Sequence, residues 1–213
     1  MNKVEREAKL RQRLADMRRF EDALRKDGIS LIAGIDEVGR GPLAGPVCAA
    51  AVVLPAGFAV LGVDDSKKIS EKNREALYEE ITREAIAWGI GLVDHRRIDE
   101  INILNATKEA MLAAVMSTNA KLASGAIEHL LIDAVALSEA GIPYTAITKG
   151  DAQSISIAAA SIVAKVTRDR MMIRFDKVYP GYSFASNKGY GTKAHYEGIR
   201  KLGLTPIHRR TFV

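Results

Sequence analysis

Apolar and polar positions in the first half of the chain predict alternating helices and strands. Residues 4–26 carry Leu, Met and Phe at spacings of three and four, which predicts an amphipathic helix. Short apolar runs predict strands at residues 31–35, 47–54 and 86–93, and helical spacing predicts helices at residues 70–85 and 97–118. Small residues dominate the second strand, so we expect it to pack closely on both faces.

The second half of the chain continues this alternation. A buried strand, "IEHLLIDA", ends on Asp133, and the strand "YTAIT" leads into a turn that carries Asp151. A long alanine-rich helix is predicted at 152–177 and a short one near 193–202. The expected fold is therefore α/β, a mixed sheet flanked by helices, with a helical C-terminal part.

Composition favours one ordinary globular domain. The chain has 213 residues, of which 47% are hydrophobic and 27% charged, so we expect a single domain over 1–213. Apolar runs stop short of the roughly 18 to 20 residues that span a membrane, so we expect a cytoplasmic protein without a membrane segment. The single cysteine, Cys48, lies in "PVCAAAVVL" and is expected to be buried rather than nucleophilic.

Charge is distributed unevenly around a net value of +5. Residues 28–160 hold eleven Lys/Arg and seventeen Asp/Glu, whereas residues 161–213 hold eleven Lys/Arg and three Asp/Glu. Such a basic segment suits a polyanion, because bound Lys and Arg release phosphate counterions. On charge alone, a solvated basic surface without a partner explains the pattern equally well.

Four carboxylates stand at positions where an α/β fold builds its site: Asp36, Glu37, Asp133 and Asp151. Phosphoryl chemistry commonly uses two hard divalent cations about 4 Å apart, held by carboxylate oxygen. Simpler roles stay open, since Asp151 can cap a helix and Asp133 can be an ordinary acid at a strand end. Asp36 and Glu37 should point to opposite faces, so both reach one metal only if the chain leaves strand geometry there.

The local sequences resemble the ribonuclease HII (type 2 ribonuclease H) family from about residue 31 to the end. The matching segments are "AGIDEVGRGPLAGPV", "DDSKKIS", "IDEINILNAT", "LLIDA", "ITKGDAQSISIAAASIVAKVTRDRMM", "YPGYSFASNKGYGT" and "HRRTF". Each segment alone is weak, but their joint occurrence in family order is specific. Ala134 stands where many members carry Gly, a small change that should leave Asp133 in place. The resemblance implies a ribonuclease H-like mixed sheet.

The resemblance also implies the chemistry. The four acids would be both the catalytic residues and the ligands of Mn²⁺ or Mg²⁺. The enzyme would cut the RNA strand of RNA/DNA hybrids and nick 5′ of single ribonucleotides in duplex DNA, leaving 3′-hydroxyl and 5′-phosphate ends. A non-catalytic hybrid-binding module and another metal-dependent nuclease of the same fold are the alternatives.

Further positions take substrate-binding roles by the same resemblance. The "GRG" element, Gly39, Arg40 and Gly41, would recognise the ribonucleotide, and Tyr190 would stack on the neighbouring sugar. The lysines that would contact phosphate are Lys67, Lys68 and Lys188. Asp169 is expected to form an ion pair with Arg168 or Arg209.

Two terminal segments complete the expected organisation. Residues 1–27 would be a helical extension that packs or makes electrostatic contacts, and residues 178–213 a basic segment that contacts substrate. We expect a monomer that binds RNA/DNA hybrids and ribonucleotide-containing duplex DNA. A replication clamp or repair protein is a partner that the sequence does not identify.

Overall fold

The computed structural model describes residues 2–213. Its strands are β1 (Ile32–Val38), β2 (Val47–Val53), β3 (Ala87–Val93), β4 (His129–Asp133) and β5 (Tyr144–Ile147). Its α-helices are α1 (Lys3–Met17), α2 (Arg19–Lys26), α3 (Glu71–Glu84), α4 (His95–Asn119), α5 (Ile155–Val178), α6 (Phe184–Asn187) and α7 (Lys193–Leu202). Short 3₁₀ turns lie at Ser138–Ala140 and Gly150–Ala152. Within these residues, no helix is both long and apolar enough to cross a bilayer.

The strands form one mixed sheet in the order β3-β2-β1-β4-β5. The first three strands pair antiparallel, and β4 and β5 join β1 in parallel. The parallel register pairs Ile35 with Ile132, so the next residues, Asp36 and Asp133, come side by side at the end of β4, two residues before β1 ends. This central position of β1 brings two of the expected acids together.

Helices cover both faces of the sheet. Cys48, Ala50 and Val52 of β2 pack with α5 on one face, and Ala49 and Ala51 pack with α4 on the other. All five are fully buried, which confirms the expected close packing and the structural role of Cys48. Burial raises the pKa of the Cys48 thiol to about 12, so it stays protonated.

Several element boundaries differ from the sequence prediction. The N-terminal helix is broken at Arg18 into α1 and α2. The long helix starts at Ile155 because Ser154 caps it after a 3₁₀ turn. The expected pairing of Asp169 with Arg168 or Arg209 is wrong, since Asp169 binds the Lys165 ammonium at 2.8 Å.

Candidate active site

Three carboxylates from separate parts of the chain converge at the ends of β1 and β4. Oxygens of Asp36, Asp133 and Asp151 all lie within 4.8 Å of one another. Asp36 stands in β1, Asp133 is the last residue of β4, and Asp151 lies in the 3₁₀ turn after β5. The Gly150 amide donates to Asp133 Oδ1 at 2.7 Å and so ties this turn to the end of β4.

Burial and mutual repulsion disfavour negative charge at this cluster. Burial raises the pKa of Asp36 well above its usual value, and the nearby Glu37 charge raises it further. Burial also raises the pKa of Asp133, and the charge of Asp151 adds to the rise even though the Gly150 hydrogen bond opposes it. A cation placed among the three oxygens would favour their ionised forms.

Glu37 occupies a different position from the other three acids. β1 stays regular through Val38, with Asp36 opposite Ala50 and Glu37 opposite Ala49, so the two acids leave opposite faces. The condition for both acids to reach one metal, a departure from strand geometry, is not met in this structure, because antiparallel pairing with β2 holds the strand. Glu37 Oε1 lies 3.4 Å from Arg40 Nη1, and its buried Oε2 has no hydrogen-bond partner among the described residues.

The three converging acids suit a hard divalent cation. Carboxylate oxygens are the ligands that Mg²⁺ and Mn²⁺ prefer, and three of them here can reach one ion. Burial raises the pKa of Glu37 as well, although the Arg40 charge opposes the rise. Its unpartnered, buried Oε2 leaves Glu37 with an acceptor that a ligand could use.

Two buried arginines hold the segment that contains Gly39, Arg40 and Gly41. Arg209 donates to the carbonyl oxygens of Gly39 at 2.5 Å and Arg40 at 2.9 Å. Gly39 has φ +94°, and a Cβ there would lie 2.2 Å from Arg168 Nε. The "GRG" backbone therefore lies against two guanidinium groups, and only glycine fits at its first position.

Arg168 and Arg209 have structural roles that the sequence did not reveal. Arg168 donates to the carbonyl oxygens of Pro46, Ala44 and Lys188 at 2.8 to 3.1 Å, and both guanidinium groups are fully buried. Burial lowers the pKa of Arg209 to about 9, and the neighbouring Arg168 charge contributes. A basic segment such as "HRRTF" usually indicates surface residues. The family resemblance was the one sequence signal that set this segment apart from an ordinary basic surface.

Tyr190 lies beside the "GRG" segment. Its side chain is 42% exposed, and a Cβ at Gly41 would lie 3.7 Å from ring carbon Cε1. The Leu43 amide donates to the carbonyl oxygen of Gly189 at 2.8 Å and joins the two loops. The structure thus brings the expected tyrosine and the "GRG" element to one surface.

A chain of neutral histidines fixes the Tyr190 backbone. The Thr205 amide donates to His208 Nδ1 at 2.8 Å, so His208 carries its proton on Nε2. That proton points at His195 Nε2, 3.0 Å away, and His195 Nδ1 donates to the Tyr190 carbonyl oxygen at 2.9 Å. The three hydrogen bonds are consistent only with both rings uncharged.

The three lysines differ in how they are placed. Lys67 is largely exposed and its ammonium lies 3.5 Å from Asp151 Oδ2, which brings it to the acid cluster. Lys68 is exposed and lies 3.7 Å from Asp65 Oδ2. The Lys188 ammonium is mostly buried and donates to the Ala185 carbonyl oxygen. Of the three, Lys67 is the one that the structure brings to the acids.

The fold and the acid cluster define a class of protein. The ribonuclease H2 from Pyrococcus horikoshii superposes with a TM-score of 0.69 at 27% identity, covering 84% of this chain and 92% of that chain. The ribonuclease HII of Archaeoglobus fulgidus, solved in complex with PCNA, gives a TM-score of 0.72 at 26% identity, covering 86% and 95%. The chain is thus an α/β protein of ribonuclease H-like fold, as expected from its sequence.

Sequence comparison gives the family. The sequence profile of ribonuclease HII matches residues 33–213. The ribonuclease HII of Listeria innocua is 54% identical over 99% of this chain and 78% of its own length, and that of Caldanaerobacter subterraneus is 53% identical over 99% and 84%. The chain therefore belongs to the ribonuclease HII family and is a ribonuclease H, an endonuclease acting on RNA/DNA hybrids.

Proposed function

We propose that this ribonuclease H also nicks duplex DNA 5′ of single embedded ribonucleotides, and that Asp36, Glu37, Asp133 and Asp151 form its catalytic metal site. The carrying observation is the convergence of three carboxylates within 4.8 Å, one of which, Asp36, lies three residues before the "GRG" segment. Mn²⁺ or Mg²⁺ is the proposed ion, and when bound it would activate water and stabilise the leaving 3′ oxygen. The products are a 3′-hydroxyl and a 5′-phosphate.

The four acids contribute unequally to this site. Asp36 and Asp151 are buried and Asp133 is half-buried, and the three supply converging oxygens for the ion. Glu37 leaves the other face of β1, yet its charge raises the pKa of Asp36. We assign it the outer position, where its free Oε2 completes the site from the side of Arg40.

Junction recognition is assigned to the surface formed by the "GRG" segment and Tyr190. The Gly39 and Arg40 carbonyl oxygens are bonded to Arg209, which holds the backbone rigid where it would approach a sugar. The 2′-hydroxyl is the group that distinguishes RNA from DNA at one nucleotide. The exposed Tyr190 ring next to Gly41 would stack on the adjacent deoxyribose, and Arg40, Lys67, Lys68 and Lys188 are the phosphate contacts that we propose.

Organisation and partners are proposed more broadly. We propose that residues 1–213 act as one monomeric catalytic unit in the cytoplasm, with residues 178–213 as the substrate-contacting segment. The complex of the Archaeoglobus relative with PCNA supports recruitment by a replication clamp.

A substrate comparison tests the proposed function. With Mn²⁺ or Mg²⁺, the enzyme should cleave an RNA/DNA hybrid and nick a DNA duplex 5′ of its one ribonucleotide, whereas an all-DNA duplex should stay intact. Asp36→Asn should reduce cleavage by about a thousandfold or more while hybrid binding is largely retained, because it removes a central carboxylate oxygen but not the nucleic-acid surface. Cutting of the all-DNA duplex at a similar rate would instead indicate a general nuclease, and the absence of any nick would reject the junction activity.

A further inference from the structure

The N-terminal helices α1 and α2 make polar contacts with one short segment, residues 152–156, which directly follows Asp151. Their apolar sides are anchored in the protein, with Leu14 and Met17 in the core below α5 and Phe20 and Leu24 against the start of β1. The polar contacts are therefore made from a fixed platform. The family profile begins at residue 33 and does not include this platform.

Arg13 connects two loops that meet at Asp151. Its guanidinium donates to both oxygens of Asp64 at 2.8 Å and to the Ala152 carbonyl oxygen at 2.9 Å. Asp64 begins the loop whose Lys67 ammonium lies 3.5 Å from Asp151 Oδ2. One side chain thus sets the distance between the Asp151 turn and the loop that faces it.

Glu21 holds the start of the helix behind the same turn. It is 1% exposed, and its Oε1 accepts hydrogen bonds from Ser154 Oγ at 2.5 Å and from the Ser156 amide at 3.0 Å. Ser154 caps α5, and its amide donates to the Gly150 carbonyl oxygen at 2.8 Å. The carboxylate therefore fixes the residue that closes the turn around Asp151.

The Asp151 turn depends on such outside contacts. It contains Lys149 in a left-handed conformation at φ 55°, and its one bond to the sheet side is the Gly150 amide to Asp133. The Asp151 carboxylate has a single long contact, to Lys67. Its position is thus set by the backbone, and the backbone is held from outside by α1 and α2.

We propose that Arg13 and Glu21 are positioning residues that hold Asp151 at the metal-binding distance from Asp36 and Asp133. The inference rests on the proposed function, in which Asp151 binds metal. The N-terminal helices would accordingly be part of the active-site architecture rather than a passive extension. Removal of a group that orients a metal ligand typically weakens metal affinity by about tenfold to hundredfold.

The test measures Mn²⁺ binding by the full chain, without substrate, by calorimetric titration. Arg13→Ala should weaken Mn²⁺ binding by about tenfold and raise by a similar factor the Mn²⁺ concentration that gives half-maximal cleavage. Affinity for an RNA/DNA hybrid, measured by fluorescence anisotropy without divalent ions, should change by a smaller factor than the Mn²⁺ affinity, since the "GRG" segment and Tyr190 are untouched. A general loss of folding would lower both affinities together.

Matched variants separate positioning from other effects. Arg11→Ala, which removes an exposed ion pair with Glu7 on the same helix, should leave Mn²⁺ binding unchanged. Glu21→Ala should reproduce the Arg13→Ala defect, and Glu21→Gln, which keeps an acceptor oxygen, should restore most of it. If Glu21→Ala does not fold, Arg13→Ala decides the question.

Two different results would reject the positioning role of Arg13 and the metal-binding role of Asp151 separately. A folded Arg13→Ala protein with unchanged Mn²⁺ affinity, alongside an Asp151→Asn protein with weakened affinity, would reject positioning and leave the proposed site intact. Unchanged Mn²⁺ binding and cleavage in Asp151→Asn itself would reject the role of Asp151 in the proposed site, and the positioning role with it.

Discussion

At the scale of single residues, this protein uses buried cations to shape a loop. Arg168 and Arg209 each donate to three carbonyl oxygens. Carbonyl dipoles replace the water that each guanidinium loses, so both charges remain tolerable inside the fold. Lysine offers a single ammonium in place of the planar fork, and it could not hold three spaced carbonyl oxygens in this way.

The histidine chain behind Tyr190 should make stability depend on pH. Burial, together with His195, lowers the pKa of His208 to about 4, below the value of about 6.5 for an exposed histidine. Between about pH 6.5 and pH 4 the unfolded chain binds a proton at His208 that the folded protein does not bind, so stability is lost as pH falls through this range. We expect His208 to cost about 1 to 2 kcal/mol between pH 7 and pH 5, measured by denaturant unfolding.

A His208→Gln protein is the comparison for this effect. Its unfolding free energy at pH 7 should be lower, but it should lose less on going to pH 5 than the parent protein loses. The acids with raised pKa values, such as Asp36 and Asp133, act in the opposite direction in both proteins and cancel in the difference. An equal loss in the two proteins would show that the imidazole of His208 does not carry the dependence.

At the scale of elements, the contact between β1 and α5 determines where Asp36 stands. Gly34 lies in β1 two residues before Asp36, and a Cβ added to it would lie 2.0 Å from the backbone carbon of Ser156. The helix therefore touches the strand backbone directly. This approach also brings the start of α5, and the Asp151 turn before it, close to the end of β1.

Gly34→Ala should therefore push α5 away from the sheet. The clash is with backbone, which cannot rotate aside, so we expect a loss of about 3 kcal/mol in unfolding free energy. Cleavage should also fall in the folded fraction, because Asp151 moves with the helix start. Gly57→Ala, where an added Cβ meets nothing within 4 Å, is the control and should unfold like the parent protein.

Element prediction from the sequence succeeded where a periodic pattern had a clear local end. Residues 193–202 match α7, which Thr192 caps and Gly203 ends. The sequence left the geometry at Glu37 open, because neighbouring glycines permit a break while pairing with β2, a tertiary interaction, keeps the strand regular. The convergence of Asp133 with Asp36 likewise depends on the parallel pairing of β4 with β1, which local spacing does not encode.

At the scale of the whole molecule, net charge overstates the number of Lys and Arg side chains that can contact a nucleic acid. The sequence gives residues 161–213 eleven Lys/Arg and three Asp/Glu. Arg168 and Arg209 are fully buried, and Lys165 is bonded to Asp169, so these cations belong to the interior and its ion pairs. Exposed Arg40 lies outside that basic segment, and its guanidinium lies 3.4 Å from Glu37 Oε1.

Salt dependence of hybrid binding distinguishes these groups of cations. In an Asp36→Asn background, the logarithm of affinity should fall linearly with the logarithm of salt concentration, by about 0.9 in slope for each phosphate contact. Arg40→Gln should reduce the steepness by about one contact. Arg83→Gln is the control and should leave the slope unchanged. Arg83 pairs with Glu84 just before β3, and the first residue of β3 lies at the end of the sheet opposite Asp36, so Arg83 is far from the proposed site. Equal slopes in Arg40→Gln and the parent would show that Arg40 makes no phosphate contact. The electrostatic attraction would then come from the basic C-terminal helices.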